Sequence, residues 1–232
     1  MDADSTRISE AITEVARLLH TPMDADETLA AIAHAARHTV PGFDHVGVSI
    51  THRDGTIETR AGTDQLVWDL DALQYGLKEG PCYESIVEQG VLLVENAHHA
   101  QRWPRYIPQA AERGLRAQLA VGLYEDGDSL GGLNLYSTGS ATIDDDAVPL
   151  AELFATHAAL ALGRFRAERE LNDAIASRQV IGQATGILME RYQLDAHRAF
   201  GFLVRTSQTG NVKLRDVAAE LVSSTDTRYT MD

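Results

Sequence analysis

Cysteine is almost absent from this 232-residue sequence. Cys82 stands alone and cannot form an intrachain disulfide, so nothing points to an oxidising compartment. No segment approaches the roughly 20 uninterrupted apolar residues that cross a bilayer. The acidic start, Met1 to Ser5, also lacks the basic and apolar layout of a signal peptide. These absences predict a cytoplasmic protein with no membrane partner.

The usual signatures of catalysis are missing as well. Gly131 and Gly132 lie in a predicted strand and match no phosphate-binding loop, and no serine occupies a nucleophile elbow. His34 and His38 have the i, i+4 spacing of metal ligands, but no carboxylate accompanies them as a third ligand. We therefore predict no enzymatic activity, no cofactor and no metal site.

Negative charge is concentrated in the first two thirds of the chain. Residues 1–163 contain 10 Lys and Arg against 25 Asp and Glu, whereas residues 164–222 contain 9 against 7. The acidic part repels nucleic acid at long range, and the later part is compatible with it. An excess of two positive charges is nevertheless well below that of a typical nucleic-acid binder.

The first 143 residues contain short helices and strands. Helical spacing of apolar residues predicts a helix over about 6–20, and Asp24 or Asp26 can cap a second one. Val46, Val48 and Ile50 alternate as in a strand. The other predicted elements are helices over 64–75, after Cys82 and over 102–114, a buried strand at 91–94, and strands over 56–60, 115–124 and 129–137. Because long βαβ alternation is absent, the pattern predicts an α+β fold, an antiparallel sheet flanked by helices.

A long helix is predicted from Asp144 to about Met189. Its roughly 45 residues would extend about 65 Å, too far for one small domain to cover. One apolar stripe follows a 3-4 spacing through Leu150, Leu153, His157, Leu160, Arg164, Ala167 and Leu171, and a second row contains Phe154, Ala158, Ala161 and Phe165. This pattern favours packing on its own domain first and a parallel dimeric coiled coil later. A break near Gly163 into two ordinary helices is the alternative.

Gly182 and Gly186 lie within this helix, four residues apart and so on one side. Each interior glycine costs roughly 0.5–1 kcal/mol relative to alanine. Either a packed helix of the same bundle or a nucleic-acid strand must come close to the backbone there. Further on, Asp195 can cap a second helix, Gly210-Asn211 marks a turn, and a last helix ends near Val222.

The C-terminal residues resemble an ANTAR domain, a three-helix RNA-binding module of transcription antitermination. The resemblance rests on Ser177-Arg178, Ile181-Gly182-Gln183-Ala184, Gly186 to Arg191, Ala199-Phe200, Ser207-Gln208 and Lys213 to Ala218. Upstream, Glu79-Gly80-Pro81-Cys82, Arg102-Trp103-Pro104, Gly114-Leu115-Arg116 and Gly132 to Ser137 resemble a GAF sensor domain. The predicted organisation is a GAF-like domain over 6–143, a connecting coiled-coil helix over 144–173, an ANTAR domain over 174–222 and a disordered tail over 223–232.

The resemblance implies a regulator that binds paired RNA hairpins as a homodimer, with an unidentified small-molecule ligand possible for the GAF-like domain. Its implied RNA contacts are Arg178, Gln183, Thr185, Gly186, Arg191, Arg205, Ser207, Gln208, Lys213 and Arg215. Thr185 stands where the family usually has lysine, which removes one cation from this surface. A DNA-binding helix-turn-helix regulator and a protein-binding signalling module are the alternatives.

Several of these residues also have plain structural interpretations. Asn211 can cap the last helix instead of touching RNA, and Trp103 and Tyr106 can cover the core instead of lining a ligand pocket. Phe200 and Leu203 are predicted to be core residues. Cys82 is predicted to be a buried structural cysteine.

Overall fold

The computed structural model describes residue 13, residues 24–88 and residues 90–229. Apart from residue 13, the predicted helix over 6–20 therefore lies outside the described residues. The chain divides into two compact units between Phe165 and Arg166. We call the first the sheet domain and the second the helical module.

The sheet domain is built on five strands: β1 (His45–Thr51), β2 (Ile57–Gly62), β3 (Val91–Val94), β4 (Ala117–Glu125) and β5 (Asp128–Ser137). Their order in the sheet is β2-β1-β5-β4-β3, with every neighbouring pair antiparallel. This confirms the predicted α+β fold. The strand predicted as buried, β3, is instead an edge strand, and Leu93 is 45% exposed on it.

Seven α-helices occur in the described part of the chain: α1 (Ala25–Thr39), α2 (Gln65–Leu77), α3 (Pro81–Glu88), α4 (Ile107–Glu112), α5 (Ala147–Tyr192), α6 (Ala196–Gly210) and α7 (Leu214–Tyr229). Asp24 caps α1 and Asp195 caps α6, each accepting a backbone N–H bond with its side chain, as the sequence predicts. The stretch predicted to be helical from Arg102 begins only at Ile107, because Trp103 has a φ of 58° and cannot continue a right-handed helix.

The two faces of the sheet bury different kinds of side chain. Val46, Val48, Leu133 and Leu135 alternate onto one face, where they pack against α1 and the first part of α5 in a single apolar core. The intervening residues reach the other face, beneath α2, α3 and α4. There the buried side chains Ser49, Gln118, Asn134 and Tyr136 are polar. This second face therefore needs internal hydrogen-bond partners.

Helix α5 is continuous over 46 residues. The alternative of a break near Gly163 is therefore wrong. A Cβ at Gly163 would lie 2.2 Å from Oε1 of Glu125, so this glycine accommodates packing inside the sheet domain. The second apolar row of the helix, Phe154, Ala158 and Ala161, is buried in that domain.

The helical module has a small core formed by its three helices. Ala184 and Leu188 of α5 pack with Ala199 and Leu203 of α6 and Ala218 of α7. The last helix continues to Tyr229, so the prediction of disorder from residue 223 is wrong for residues 223–229. Thr225 explains the extension, because it is buried in the module and accepts a hydrogen bond from Arg191. No helix among the described residues combines the length and apolar character needed to cross a bilayer.

Candidate functional site

The paired glycines lie on the outward side of α5 in the helical module. A helix turns 100° per residue, so Gly182 and Gly186 are about 160° away from the buried Ala184. A Cβ added at either glycine would meet nothing within 4 Å. Close packing within the module is therefore not the reason for these glycines. They leave the helix backbone open on that side.

One cationic and two polar residues lie around this open backbone. Arg178 lies one turn before Gly182 and is exposed, and its side chain makes no ion pair or hydrogen bond in the described part of the chain. Gln183 and Thr185 flank the glycines on opposite sides. Thr185 is half-buried and donates its hydroxyl to the Ile181 carbonyl at 2.7 Å, so only Gln183 presents a free polar group.

Arg191 does not lie with the glycines. It is nine residues from Gly182, a rotation of about 180°, and so lies on the side of α5 that faces the module core. Its Nη2 donates to Oγ1 of Thr225 on α7 at 3.3 Å. The geometry gives Arg191 a contact within the module, joining the ends of α5 and α7.

Four of the predicted contacts lie in or beside the turn between α6 and α7. Asn211 ends α6 in the left-handed conformation, with φ 49°, so it does not cap the start of α7. Ser207 donates its hydroxyl to the Val212 carbonyl at 2.6 Å and closes the turn. Around it Gln208 and Lys213 are exposed, whereas Arg215 pairs with Asp216 at 3.3 Å. The turn thus presents exposed polar side chains on a backbone fixed by its own hydrogen bonds.

Helix α6 contributes residues that sequence reasoning missed. Phe200, predicted to be core, is 43% exposed, and Phe202 is 48% exposed. Only the stripe through Ala199 and Leu203 reaches the small core, and both phenylalanines lie beside it. Arg205 is exposed, and its Nε donates to the Gly201 carbonyl at 3.3 Å. The i, i+4, i+7 spacing of Arg198, Phe202 and Arg205 was the sequence signal for a shared side.

A buried polar cluster in the sheet domain centres on Asp71. Its Oδ2 accepts hydrogen bonds from Thr59 at 2.7 Å and Ser49 at 3.3 Å. Its Oδ1 accepts from Asn134 at 3.0 Å and from the Tyr136 hydroxyl. All four donors are neutral. Burial raises the pKa of Asp71 to about 6, although these hydrogen bonds act in the opposite direction.

The same cluster encloses Cys82 and Tyr75. The Tyr75 hydroxyl lies 3.0 Å from the Cys82 sulfur and donates to Ser49 at 2.5 Å. Burial, followed by the negative charge of Asp71, holds the pKa of the Cys82 thiol and of the Tyr75 hydroxyl well above their ordinary values. The raised pKa keeps the thiol protonated. Cys82 packs with Ile86 and Ala120, which confirms the prediction that it is buried.

Trp103 and Tyr106 belong to the core of the sheet domain, as one of their two predicted roles required. The Tyr106 hydroxyl donates to Gln118 at 2.7 Å, and the indole of Trp103 donates to Glu84 at 2.6 Å. An open groove of about 620 Å³ occurs elsewhere in this domain, between β3, β4 and α5. Glu125 and Glu152 line it together with Val91, Val121 and Leu160, so it is acidic and partly apolar.

Two family models match the chain in sequence order. A GAF domain matches residues 22–163, well over half of the chain, and an ANTAR domain matches residues 169–222. The ANTAR match contains every predicted RNA contact. No curated protein matches closely enough to count as a relative.

Solved structures resemble the sheet domain in fold. The GAF domain of a phosphoenolpyruvate-protein phosphotransferase from Coxiella burnetii has a TM-score of 0.59 at 15% identity, over 73% of this chain and 99% of that chain. The free methionine-R-sulfoxide reductase of Neisseria meningitidis has a TM-score of 0.56 at 14% identity, over 72% of this chain and 95% of that chain. The chromophore-binding domain of a bacteriophytochrome from R. palustris has a TM-score of 0.58 at 11% identity, over 73% of this chain and 64% of that chain.

Identities this low establish the shared fold alone. The order of the two matched domains establishes the regulatory architecture, in which an ANTAR domain implies RNA-binding antitermination and the GAF domain is the sensor. The chain belongs to the GAF–ANTAR family of regulators.

Proposed function

We propose that this protein is a cytoplasmic homodimer that binds paired RNA hairpins and so prevents a terminator from forming, under the control of its GAF domain. One observation carries the proposal most directly. The glycine side of α5 offers an open backbone beside an unpaired arginine, within the domain that matches an RNA-binding family.

RNA hairpin loops suit such a surface. Proteins recognise them through unstacked bases, phosphates and 2′-hydroxyls, and a glycine side lets a sugar-phosphate strand approach the helix closely. The proposed contacts with exposed groups are Arg178, Gln183, Gly186, Arg205, Gln208, Lys213 and Arg215. Thr185, Ser207 and Arg191 use their side chains within the module, so we propose that they shape the surface.

The proposed dimer uses the same side of α5, nearer the GAF domain. Leu171 is 61% exposed and Ile175 is 54% exposed, one helical turn apart. When the helix is viewed along its axis, Ile175 lies on the midline between Gly182 and Gly186, and Leu171 lies about 40° from it. A partner helix and an RNA strand would therefore occupy successive segments of one stripe, with Arg178 at the border between them.

We propose a small-molecule ligand or another local signal for the GAF domain. Two places in that domain support this. The buried polar cluster around Asp71 contains an unpartnered acceptor, Oδ1 of Asn134, and the open groove beside β3 and α5 has an acidic, partly apolar lining.

Filter binding tests the proposed function. The full chain is titrated against an RNA with two adjacent hairpins, the same RNA with one hairpin unpaired, and duplex DNA, at 50 and 200 mM salt. We expect saturable binding to the two-hairpin RNA that weakens by at least tenfold with salt, because several cations contact phosphates. Absence of saturable binding to any RNA contradicts the proposal. Preference for duplex DNA indicates a DNA-binding regulator, and a protein partner retained after nuclease treatment, with no RNA binding, indicates a protein-binding module.

A further inference from the structure

Helix α6 presents an aromatic side chain between two arginines on one exposed side. Arg198, Phe202 and Arg205 are spaced by four and three residues, so they are neighbours on the helix surface. About 10 Å of helix axis separates the two arginines. We call these three residues the α6 stripe. It lies beside the core-facing stripe through Ala199 and Leu203.

The aromatic ring is available for a ligand. Phe202 keeps 48% of its surface exposed, although burial of the ring in the core would stabilise the module. Gly201 beside it leaves the helix open, because a Cβ there would meet nothing within 4 Å.

Both arginines are available as well. Arg198 lies 3.4 Å from Asp195, but the two side chains are 74% and 62% exposed, and exposed pairs of this kind are weak. Arg205 donates only to the carbonyl of its own helix and pairs with no carboxylate among the described residues. Each guanidinium can therefore turn to a phosphate with little loss.

We propose that the α6 stripe binds one unpaired nucleotide of an RNA loop, with its base stacked on Phe202 and the flanking phosphates held by Arg198 and Arg205. Aromatic rings stack on splayed bases, and arginine matches phosphate through two parallel N–H bonds. This inference rests on the proposed RNA-binding function and adds to it a specific site for a loop base.

The charge of the stripe argues against a second copy of this chain as its occupant. In a two-fold contact the same patch meets itself, which would bring four guanidinium groups together with only the Asp195 carboxylates to offset them. RNA supplies the opposite charge at the required places.

The chain offers a matched pair of variants. Phe202→Leu removes the ring and keeps an apolar side chain. Phe200→Leu makes the same change at a side chain of similar exposure, rotated about 160° around α6. Both are compared with the wild type by filter binding to the two-hairpin RNA and by the fluorescence of 2-aminopurine placed in the loop.

We expect Phe202→Leu to weaken binding by about tenfold and to remove the fluorescence change on binding, as loss of one stacked base does. We expect Phe200→Leu to stay within threefold of the wild type. Phe202→Trp should retain binding, because it keeps a stacking ring. Arg198→Gln and Arg205→Gln should each lower the slope of log affinity against log salt by about one.

The failures of the two proposals are distinguishable. If the wild type binds RNA but Phe202→Leu binds equally well, or if both leucine variants lose the same affinity, the α6 stripe is not a base-stacking site and the proposed function stands. If Phe202→Leu weakens only self-association, the occupant is a second copy. If the wild type binds no RNA, the proposed function and this inference are both wrong. Circular dichroism and Tm establish that each variant is folded.

Discussion

Nδ2 of Asn134 donates to Oδ1 of Asp71 at 3.0 Å, and both side chains are fully buried in the sheet domain. The amide oxygen of the same asparagine has no hydrogen-bond partner. A buried acceptor without a partner destabilises the fold by about 1–3 kcal/mol, and a buried carboxylate without a cation adds to that. The domain therefore holds a destabilising polar cluster at its centre, spread over β1, β2, α2 and β5.

Asp71 makes the stability of the sheet domain depend on pH. Its pKa is about 6 in the folded chain and 3.8 as its ordinary value, so the folded state binds more protons between these two pH values. Stability from this group is fully present below pH 4 and is lost as pH rises through 6. The difference between these two pKa values corresponds to about 3 kcal/mol in the free energy of unfolding. The titratable groups around it, Tyr75, Cys82, Tyr106 and Tyr136, stay neutral throughout this range because burial raises each pKa.

Comparing the pH dependence of stability in the wild type and in the variant Asp71→Asn tests this. Urea unfolding of wild type and variant is compared at pH 4, 5, 6 and 7. We expect the variant to gain about 2.4 kcal/mol of stability relative to the wild type between pH 4 and pH 7, whatever the difference between them at pH 4. A difference that stays constant over this range shows that Asp71 is not protonated in the folded protein. Asp44→Asn is the control. Partial burial raises the pKa of Asp44, but hydrogen bonds from the backbone of Thr138 and Gly139 outweigh it and hold the pKa below 3.8. The stabilisation from Asp44 is therefore lost only as pH falls below 3.8, and the stability difference for this variant should stay nearly constant between pH 5 and 7.

Alanine at either open glycine should make the module more stable and its RNA binding weaker. Gly182→Ala and Gly186→Ala should each raise the stability of the helical module by about 0.5–1 kcal/mol, because nothing lies within 4 Å of the added Cβ. If an RNA strand approaches the helix there, each variant should also weaken RNA binding by at least tenfold. Thermal unfolding and filter binding measure the two effects.

Gly76→Ala is the matched control for the glycines. Gly76 lies in α2 of the sheet domain with equally open space, so alanine should stabilise that domain and leave RNA binding unchanged. A glycine variant that alters dimerisation and leaves RNA affinity unchanged would assign this segment of α5 to the partner helix. Unchanged affinity and unchanged dimerisation would remove the glycine side from both interfaces.

The sequence predicts those parts of the fold whose signals are local. Asp24 and Asp195 act as helix caps because each is followed by the backbone N–H groups that it binds. The alternation of Val46 and Val48 identifies β1 and its buried face. The Asp71 cluster could not be predicted in this way. Its donors lie between 12 and 65 positions away from Asp71 in sequence, and an aspartate within a helix ordinarily indicates a solvent-exposed face.

The sequence predicts which residues share a side of the candidate RNA-binding surface only when their angular positions around the helix axis are considered. Gly182 and Gly186 share a side because they are four residues apart. Arg191 belongs to the same motif, yet its nine-residue offset turns it toward α7. Phe200 was assigned to the core by its hydrophobicity, but the described part of the module has a core of five buried apolar residues, with room for only one narrow stripe of α6.

Arg178 and Arg191 should therefore behave differently when substituted. Arg191→Ala removes the hydrogen bond to Thr225 and should lower the stability of the module by about 0.5–1 kcal/mol, with RNA affinity changed less than threefold. Arg178→Ala removes an unpaired exposed cation and should weaken RNA binding without changing Tm. A double-mutant cycle of Arg191→Ala with Thr225→Val measures the coupling. Equal losses of RNA affinity in the two arginine variants would contradict this division of roles.

Exposed apolar residues on α5 predict that a single charge prevents dimerisation. Ile175→Lys places a cation in the stripe that also contains Leu171, and its counterpart in a parallel partner would face it, so like charges would meet at the seam. Ala176→Lys is the control, since it adds the same charge one residue away, rotated by 100°. We expect light scattering at micromolar concentration to give a dimer for the wild type and Ala176→Lys, and a 25.3 kDa monomer for Ile175→Lys.

The monomer should bind single-hairpin and two-hairpin RNA with similar affinity, because it can engage only one hairpin at a time. A monomeric wild type would exclude the α5 seam, and a dimeric Ile175→Lys would place the contact elsewhere.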